Sequence, residues 1–508
     1  MQLRLLFFLF FLVSSTFSAS LSGRDTCNNL KSIPLRDIPV PSFPPFDPDL
    51  AQIMRYRKQV SVNLGSWFVL ERWMSPSMFT SVSGQSELDV ASAFDPSCSR
   101  RLLERHWARH MNDSDFAYLA SIGVNTVRLP LGYWTLGPEY CKDTPFDSVA
   151  PVYRNAWSFL VNAINQAAAH NLGVLIDLHG AVGSQNGQPH SGTSDRRVGL
   201  FNSPSNVAKT ISVLTYLTQQ LSNVSNVVGI QILNEPQDNP KLSDFYTKAI
   251  TAMRAVSPSA QTLPLYIHDG FNFQKFSKFV AKRSDFVVLD YHSYFVFTSQ
   301  DANDSAYNLT QKVTRSVQPM LANANLRGNL VVGEWSCALT PRSLSYEKDK
   351  EAARRSFCNT QLDVYSSVAA GWSFWSYQLE QCNLDWCFLA DVGRILPSDF
   401  SQSSDACGLQ QTDDDGGLFR RVDHEAHRFS TRRKRQSYDA HQKSQAKGYS
   451  DGMDAVRRFC ASNSQLGFAE QFVHDQIQAL GPDVVAPGTE SDYKQGFFQG
   501  MEDGRGGQ

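Results

Sequence analysis

The chain has 508 residues, of which 42% are hydrophobic and 19% charged, so it can bury a large core and form one big domain with an appendage. Its 47 lysines and arginines are balanced by 49 acidic residues. This balance excludes the global basic field by which proteins bind nucleic acid or an anionic membrane surface, and it favours a neutral, polar partner.

The N-terminus is typical of a secretory signal peptide. Arg4 precedes an apolar run at residues 5–13, and small residues around Ala19 offer a cleavage site, so residues 1–20 are predicted to be removed. The alternative, a membrane anchor, is disfavoured because a spanning helix needs about 20 apolar residues. We therefore expect a secreted protein, extracellular or in the cell wall, with no transmembrane segment. Residues 21–49 form a proline-rich N-terminal segment.

Glycosylation sequons and cysteines agree with export. The Asn-x-Ser/Thr pattern occurs at Asn112, Asn223, Asn303 and Asn308. Nine cysteines predict several disulfides of undetermined pairing, with at least one thiol unpaired. Cys382 and Cys387 lie close together, but a zinc site would need a second pair of ligands. No metal or other cofactor is predicted.

Between residues 50 and 400, short apolar runs alternate with longer mixed segments. The runs are residues 60–67, 126–131, 174–178, 227–233, 263–268, 286–291, 330–335 and 371–375. Their continuous hydrophobicity is typical of parallel strands covered on both faces, and segments such as 153–170 have helical spacing. The pattern predicts an α/β fold, a (β/α)₈ TIM barrel over residues 50–400. An open doubly wound sheet also alternates in this way, but no Gly-x-Gly-x-x-Gly turn follows the first run.

Polar residues cluster at the carboxyl ends of these runs. They are Arg128, His179, Asn234, Glu235, His268, Asp269, His292, Tyr294 and Glu334. A single charged residue at a strand end is usually a turn or cap residue, but the ends of barrel strands converge on one face, where the active site lies. The cluster therefore predicts a catalytic pocket.

Glu235 and Glu334 follow the fourth and seventh runs, which lie on opposite sides of the barrel mouth. Two such carboxyls can cleave a glycosidic bond: one protonates the leaving oxygen and the other attacks the anomeric carbon, with about 5 Å between them in retaining enzymes. Aromatic residues near the same ends can stack on a sugar, although about half are expected to be barrel packing. They are Trp67, Phe68, Trp134, Tyr291, Tyr294, Phe295, Phe297, Trp372, Phe374, Trp375 and Tyr377.

Five ordered motifs carry a family resemblance over residues 50–400. They are Asn-Leu-Gly-Ser-Trp-Phe-Val-Leu-Glu ending at Glu71, Asn-Thr-Val-Arg-Leu-Pro around Arg128, Asp-Leu-His-Gly around His179, Asn-Glu-Pro around Glu235, and Gly-Glu-Trp-Ser around Glu334. This set resembles glycoside hydrolase family five. With Ser-Gln-Asn-Gly at 184–187 and His-Ser-Tyr at 292–294, it is similar to the fungal exo-β-1,3-glucanases (glucan 1,3-β-glucosidases).

The resemblance implies a role for each matching residue. Glu235 would be the general acid/base and Glu334 the nucleophile. The sequence by itself does not decide which glutamate is which. The substrate-binding residues would be Asn234 on the sugar 2-hydroxyl, Arg128 and Tyr294 orienting the nucleophile, His179, His292 and Glu71 on the terminal glucose, and Trp375 as its stacking floor.

Two positions depart from the family pattern. Gln188 and Pro189 stand where a phenylalanine usually forms one side of an aromatic clamp, of which Phe297 would supply the other side, and Gln378 replaces a common lysine. Linkage preference is therefore left open. The histidines could instead indicate a barrel metal hydrolase, but none has the paired spacing of a metal motif, and His268 is consistent with a core histidine.

Past residue 400 the composition changes. Residues 401–435 are an acidic and then basic linker that ends in Arg-Arg-Lys-Arg at 432–435, and residues 436–508 form a small extension of unknown function. A weak repeat begins at Gly448 and Gly496, and helical spacing predicts a helical appendage. The basic run is either a solvated loop or a processing site. Removing Cys460 with the tail would leave eight cysteines that could pair fully, whereas a bond from Cys460 to a barrel cysteine would retain the tail.

The sequence thus predicts a secreted, retaining exo-β-1,3-glucanase, expected to be a monomer, that releases glucose from the non-reducing end of a β-glucan. Two other functions remain open. One is a β-glucosidase acting on another linkage, in β-1,6-glucan or a glycolipid, and the other is a wall glucan-binding protein without catalysis. The presence of both glutamates disfavours the second.

Overall fold

The computed structural model describes Cys27 and residues 29–401 and 440–506. The predicted signal peptide, the linker from residue 402 with its basic run, and the first residues of the predicted extension lie outside the described residues. No helix within the described ranges combines the length and apolar character needed to cross a membrane.

Eight parallel strands pair in chain order and close into a barrel. The strands are β1 (Gln59–Asn63), β2 (Thr126–Gly132), β3 (Gly173–Gly180), β4 (Val227–Gln231), β5 (Leu265–His268), β6 (Val287–Ser293), β7 (Leu330–Trp335) and β8 (Gly371–Phe374). All of their residues are buried except the half-buried Tyr291. Burial on both faces explains the continuous apolar runs, and the predicted barrel is confirmed.

Helices connect the strands and cover the barrel. The longer ones are α1 (Pro48–Tyr56), α2 (Pro96–Arg109), α3 (Asp113–Ser121), α4 (Ala156–Ala169), α5 (Pro204–Leu221), α6 (Leu242–Arg254), α7 (Phe273–Ala281), α8 (Ala306–Lys312), α9 (Lys350–Val368), α10 (Ala440–Ala461), α11 (Ala469–Leu480) and α12 (Glu490–Gly506). Short α-helices lie at Glu87–Ser92, Pro138–Cys141, Pro258–Gln261, Ser299–Asn303, Gln318–Ala322, Pro341–Leu344 and Phe388–Asp391. Short 3₁₀ turns lie at Pro76–Phe79, Tyr133–Leu136, Asp147–Tyr153, Pro189–Ser191 and Leu200–Asn202, and a π turn at Val313–Val317.

The observed strand ends differ from the predicted ones where the chain turns toward the barrel mouth. β1 ends at Asn63, four residues before the end of the predicted run, and β6 continues to Ser293 and so includes His292. The residues after Asn63 are nevertheless buried, because the loop they form packs over the mouth. Apolar content alone therefore could not mark where β1 leaves the sheet.

The buried carboxyl of Glu87 ties the loops after β1 and β2 together. It accepts hydrogen bonds from the backbone N–H of Leu70 and the indole N–H of Trp134, each at 2.9 Å. Burial raises the pKa of Glu87 to about 7, against the lowering effect of these donors. The side chain thus fixes the backbone just before Glu71, one of the predicted substrate residues.

The helical extension packs on the amino-terminal end of the barrel. Phe459, Phe468 and Phe472 lie in one buried cluster with residues of α1 and of the barrel, which are Met54, Tyr56, Leu175, Val228, Tyr266, Phe286, Val288, Val331 and Ala370. The backbone N–H groups of Gly467 and Phe468 donate to the carbonyl of Tyr56 at 2.8 and 3.0 Å. The predicted helical nature of the extension is confirmed, and its apolar faces seal the end of the barrel opposite the mouth.

Glycines bring α10 and α12 into backbone contact. A Cβ atom at Gly448 or Gly452 would overlap carbonyl oxygens of α12, and one at Gly496 or Gly500 would overlap carbonyl oxygens of α10. Only glycine allows this approach at all four positions. The weak sequence repeat therefore arises because both helices need glycines on the faces through which they meet.

Disulfides join Cys27 to Cys98, Cys337 to Cys358 and Cys382 to Cys387. Cys460 is also disulfide-bonded, whereas Cys141 is a buried free thiol. Within the described residues the unpaired cysteine is thus Cys141, so the prediction that the eight cysteines left after removal of Cys460 could pair fully is wrong. Asn112, Asn223, Asn303 and Asn308 are all exposed, as glycan attachment requires; their glycosylation stays a prediction.

Candidate active site

Arg128 is the centre of the polar network at the carboxyl ends of the strands. The side chain on β2 is fully buried, and its guanidinium donates to Glu334 Oε1 at 3.0 Å, to Asn234 Oδ1 at 2.8 Å and to Asn63 Oδ1 at 2.8 Å. It also lies 3.0 Å from Asp177 Oδ2. A buried cation with this many acceptors orients each of them and is itself fully compensated.

Glu334 is held from two sides. Arg128 donates to one carboxylate oxygen, and the hydroxyl of Tyr294 donates to the other at 2.9 Å. Glu334 lies on β7 next to His292 on β6. With both oxygens engaged, the carboxylate has one orientation, which is what an attacking carboxylate needs.

His292 connects the two predicted catalytic carboxyls. Its Nδ1 lies 2.9 Å from Glu235 Oε1 and 3.3 Å from Glu334 Oε2, while its Nε2 lies 3.1 Å from Asp290 Oδ2. Glu235 has a backbone φ of 42°, in the left-handed region that non-glycine residues rarely occupy and that often marks an active site. Two carboxylates that share one nitrogen lie close together, as the retaining arrangement requires.

The pKa values of this set are coupled through His292. Burial alone would lower the pKa of His292, but Glu334 and Asp290 outweigh it and raise that pKa well above its usual range. Burial raises the pKa of Glu334 to about 7, against the lowering effect of His292 and Arg128. For Glu235 burial acts in the same direction, but the hydrogen bond and charge of His292 prevail and lower its pKa. The resting site thus keeps a proton on the His292–Glu235 hydrogen bond.

Asn234, His179 and Trp375 lie together beside the carboxylates. Asn234 accepts from Arg128 and directs its amide to His179 Nε2 at 3.3 Å. His179 Nδ1 donates to Asp177 at 2.7 Å, so its Nε2 is the acceptor. The rings of His179 and Trp375 are nearly parallel, 5.7 Å apart. The three residues present an amide, an imidazole and a flat indole to the pocket.

Glu71 borders the pocket from the loop after β1. Its carboxylate accepts from the indole N–H of Trp73 at 2.8 Å. Burial, with smaller contributions from the charges of Glu334 and Glu235, raises the pKa of Glu71 to about 8, against the lowering effect of the Trp73 hydrogen bond. Glu71 therefore lies near enough to Glu334 and Glu235, the two predicted catalytic residues, for their charges to act on it.

Gln188, Pro189, Gln378 and Phe297 are the rim positions that the sequence analysis singled out. Gln188 and Pro189 form a short turn from which His190 reaches to within 3.8 Å of Glu235 Oε2. Gln378 is directed away from the pocket, because its amide donates to the carbonyl of His110. Phe297 is 59% exposed at the rim. Seven of the eleven strand-end aromatics lie in the buried core, which is more than the expected half; they are Trp67, Phe68, Trp134, Phe295, Trp372, Phe374 and Tyr377.

Sequence reasoning overlooked two aspartates. Asp177 and Asp290 are fully buried, and each accepts a hydrogen bond from the histidine two positions later on its own strand. A spacing of two places both side chains on one face of a strand, so the Asp-x-His pattern on β3 and β6 could have identified them. Asp290 also explains Gly333, since a Cβ atom at that position would overlap its carboxylate.

Among the described residues, one group of side chains near Glu235 and Glu334 could hold a metal ion. Glu235, His268 and His292 offer ligand atoms within 4.8 Å of one another. However, the N–H of Gly270 donates to His268 Nδ1 at 3.0 Å, so the neutral ring carries its proton on Nε2 and offers no lone pair. A second group contains Cys27 and Cys98, which are joined by a disulfide. The first group is therefore arranged for hydrogen bonding and the second for a disulfide, rather than for metal binding.

Comparison with known proteins also points to a glycoside hydrolase. Residues 92–380 match the model of the cellulase family, glycosyl hydrolase family 5. The chain is 36% identical over 347 residues to glucan 1,3-beta-glucosidase 3 of Schizosaccharomyces pombe, covering 66% of this chain and 73% of that protein. It is 30% identical over 365 residues to the probable glucan 1,3-beta-glucosidase A of Emericella nidulans, covering 63% and 85%.

Solved structures agree on the fold. The rutinosidase from Aspergillus niger superimposes with a TM-score of 0.55 at 18% sequence identity, and the match covers 67% of this chain and 99% of that one. At this identity the likeness concerns the barrel and not the substrate.

Proposed function

The chain belongs to glycosyl hydrolase family 5, and from this membership and the site we propose that it is a secreted, retaining exo-β-1,3-glucanase. One observation carries the proposal: Glu235 and Glu334 share His292 Nδ1, while Arg128 and Tyr294 fix the orientation of Glu334 alone. This asymmetry distinguishes an oriented nucleophile from an acid/base that exchanges a proton. Relatives named glucan 1,3-beta-glucosidase support the substrate class.

The proposed reaction has two displacements. Glu334 attacks the anomeric carbon while Glu235, having received the proton that it shares with His292, protonates the leaving oxygen, and a covalent glycosyl-enzyme forms. Glu235 then takes a proton from water, which attacks the same carbon and releases glucose with its original β configuration. Arg128 and Tyr294 keep the Glu334 carboxylate in place, and Asn234 would bond the 2-hydroxyl of the sugar.

Exo action and export rest on separate observations. Glu71, His179 and Trp375 line the pocket and would hold a terminal glucose, so glucose would leave one unit at a time. Disulfides form and persist in oxidising compartments outside the cytosol, and the four sequons are exposed. Both fit a glucan-cleaving enzyme that acts outside the cell or in its wall.

The anomeric form of the first product tests the retaining mechanism. During hydrolysis of laminarin, proton NMR should show β-glucose before mutarotation produces the α-anomer. On an activated β-glucoside, whose leaving group departs without protonation, azide should restore turnover to Glu235→Ala by attacking the intermediate, giving a β-glucosyl azide. Initial α-glucose would rule out double displacement, and early digests dominated by longer oligosaccharides would rule out exo attack.

A β-glucosidase specific for another linkage is the second candidate. It is favoured by the changed rim, where Gln188, Pro189 and His190 stand beside Glu235. Parallel digestion of laminarin, pustulan (a β-1,6-glucan) and glucosylceramide distinguishes the candidates by their relative kcat/KM. A properly folded protein that binds β-glucan and cleaves none of the three would instead be a wall-binding protein.

A further inference from the structure

The carboxylate of Glu87 lies between two neighbours that both donate hydrogen bonds to it. Its Oε2 accepts from the backbone N–H of Leu70 and its Oε1 from the indole N–H of Trp134, each at 2.9 Å. The side chain is fully buried, so bulk water does not compete for either oxygen. Only an ionised carboxylate offers a full acceptor to both donors. Glutamine at this position would satisfy one of them and turn its own amide N–H toward the other.

The first of these hydrogen bonds fixes the loop that carries Glu71. Leu70 directly precedes Glu71 in the chain, and the backbone N–H of Glu71 itself donates to the hydroxyl of Ser66 at 3.0 Å. The backbone N–H groups of two successive residues are therefore fixed. The side chain of Glu71, which would hold the terminal glucose, thus starts from a defined position.

The second hydrogen bond fixes the strand end that carries His179. The ring of Trp134 lies against Gly180 and Gly192, since a Cβ atom at either position would overlap it. Gly180 directly follows His179 at the end of β3, and Gly192 ends the short turn that carries His190 at the rim. Because the indole N–H is bonded, the ring has one orientation and holds the backbone next to His179.

The short helix Glu87–Ser92 makes further contacts with the loop after β3. The backbone N–H of Leu88 donates to the carbonyl of Gly192 at 3.2 Å, and the hydroxyl of Ser194 donates to Asp89 at 2.5 Å. The loops after β1, β2 and β3, which are neighbouring strands of the barrel, therefore meet at this one helical turn.

We propose that Glu87 is a positioning residue for the terminal glucose, acting through two separate hydrogen bonds that align Glu71 and His179. The inference rests on the proposed function, in which Glu71 and His179 hold the glucose unit that is released. Hydroxyl groups away from the reacting carbon are alike in the substrate and in the transition state. Loosening the residues that bind them should therefore weaken glucose binding more than it slows bond cleavage.

The test measures glucose binding separately from turnover. Glu87→Gln should raise the competitive inhibition constant of glucose roughly tenfold. The KM of p-nitrophenyl β-glucoside should rise by a similar factor, while kcat should fall by less than about threefold. A residue that only supported the fold would instead reduce the amount of active enzyme, which lowers the apparent kcat and leaves KM and the inhibition constant unchanged.

Asp475→Asn is the matched control for the loss of a carboxylate with two donors. Asp475 of α11 accepts from the hydroxyl of Tyr56 at 2.6 Å and from the amide of Gln471 at 2.9 Å. These contacts lie at the end of the barrel opposite the mouth, so this substitution should leave both constants at their wild-type values.

A double-mutant cycle tests whether Glu87 acts through Glu71. In a Glu71→Gln background, Glu87→Gln should raise the inhibition constant of glucose by about threefold or less, because only the effect through Trp134 remains. Trp134→Phe removes the indole N–H, keeps an aromatic ring and should raise the constant about threefold in the wild-type background. This variant decides the question even if Glu87→Gln does not fold. The same increase for Glu87→Gln in both backgrounds, or an unchanged constant in either single variant, would overturn the proposal.

Failure of the proposed function shows separately, in the wild-type enzyme. A wild type that cleaves p-nitrophenyl β-glucoside but not laminaribiose would refute β-1,3 specificity, and the variants would still decide the role of Glu87 on the glucoside. A wild type that cleaves neither would refute both. A wild type that cleaves both, with an unchanged inhibition constant in Glu87→Gln, would refute the inference alone.

Discussion

The two ends of the barrel are built from the same eight strands but bury different kinds of side chain, charged at one end and apolar at the other. At the carboxyl ends, Arg128, Asp177, Asp290 and Glu334 are buried within one hydrogen-bonded network. At the amino ends, side chains such as Leu175, Val228 and Val331 meet the aromatic residues of the helical extension. Burying charged groups is costly even when they are paired, whereas burying apolar surface stabilises.

The difference implies a division of labour. The buried charges at the mouth destabilise the fold but are oriented for catalysis, whereas the packing at the sealed end stabilises the fold. Substitutions at the mouth should therefore alter the chemistry, and substitutions at the sealed end should alter the stability. The predictions below test this separation.

The largest effect is expected from Glu334→Gln. The amide is nearly isosteric but cannot form a glycosyl-enzyme, so kcat on laminarin should fall on the order of 10⁴-fold or more. The melting temperature should change little, because the amide oxygen can still accept from Arg128, which keeps Asp177 as its buried counter-ion. Glu490→Gln, at the start of α12, is the matched control and should leave kcat unchanged. A folded Glu334→Gln protein with more than about a tenth of wild-type kcat would contradict the assigned nucleophile.

Next comes the pH dependence set by His292. Its charge lowers the pKa of both Glu235 and Glu334, so His292→Ala should raise both. Because the nucleophile must be ionised, a higher pKa of Glu334 moves the acidic limb of kcat/KM to higher pH. Because the acid must be protonated, a higher pKa of Glu235 moves the alkaline limb in the same direction.

The measurement is a full pH profile of kcat/KM for wild type, His292→Ala and His170→Ala. His170→Ala is the control, because His170 pairs with Asp113 outside the pocket. Its pH profile should match that of the wild type. A displacement of either limb of the His292→Ala profile to lower pH would show that His292 does not control the pair.

The sequence predicted the barrel and most of the mouth but not the two features that link distant parts of the chain. Eight buried strands leave continuous apolar runs, and a functional strand end leaves a polar residue after such a run, so Glu235 and Glu334 were visible locally. Trp386 contacts the rings of Tyr294 and Trp73, two residues far away in sequence. The docking of the extension depends likewise on contacts such as Phe472 with Tyr56.

At the sealed end, Gly452→Ala tests stability without touching the chemistry. The added methyl would overlap the carbonyl of Phe497 and force α10 and α12 apart, lowering the free energy of unfolding by about 1–3 kcal/mol despite the better helix propensity of alanine. At 25 °C kcat/KM should stay at the wild-type value.

Gly504→Ala is the matched control for that change. A Cβ atom there would meet only side-chain atoms of Met453 and Val456, each at 3.3 Å, so denaturant unfolding should show a smaller loss. Equal stability of wild type and Gly452→Ala would contradict close backbone packing of the two helices. A loss of kcat/KM that accompanied full folding would contradict the separation of the two ends.

The smallest effect is expected from cutting the chain after Arg435, whether in the cell or with a protease specific for basic pairs. The extension is held on the barrel by the cluster around Phe472 and by the backbone bonds to Tyr56, so it should stay in place and kcat/KM should not change. Cys460 is disulfide-bonded and is the only cysteine beyond residue 435. Its partner within the chain must therefore precede the cut, which provides a second, covalent link.

Intact-mass measurement of deglycosylated protein under three conditions separates these two links. Native spectra should show one species, denaturing spectra without reductant should still show one species, and denaturing spectra with reductant should release residues 436–508. Release without reductant would mean that the disulfide does not join the two fragments. Loss of the fragment under native conditions would mean that neither link holds it, and the extension would then not be an integral part of the barrel. A full-length C-terminus on every secreted molecule would instead show that the basic run is not cut in the cell. Retention of the extension can then be tested by cutting with added protease.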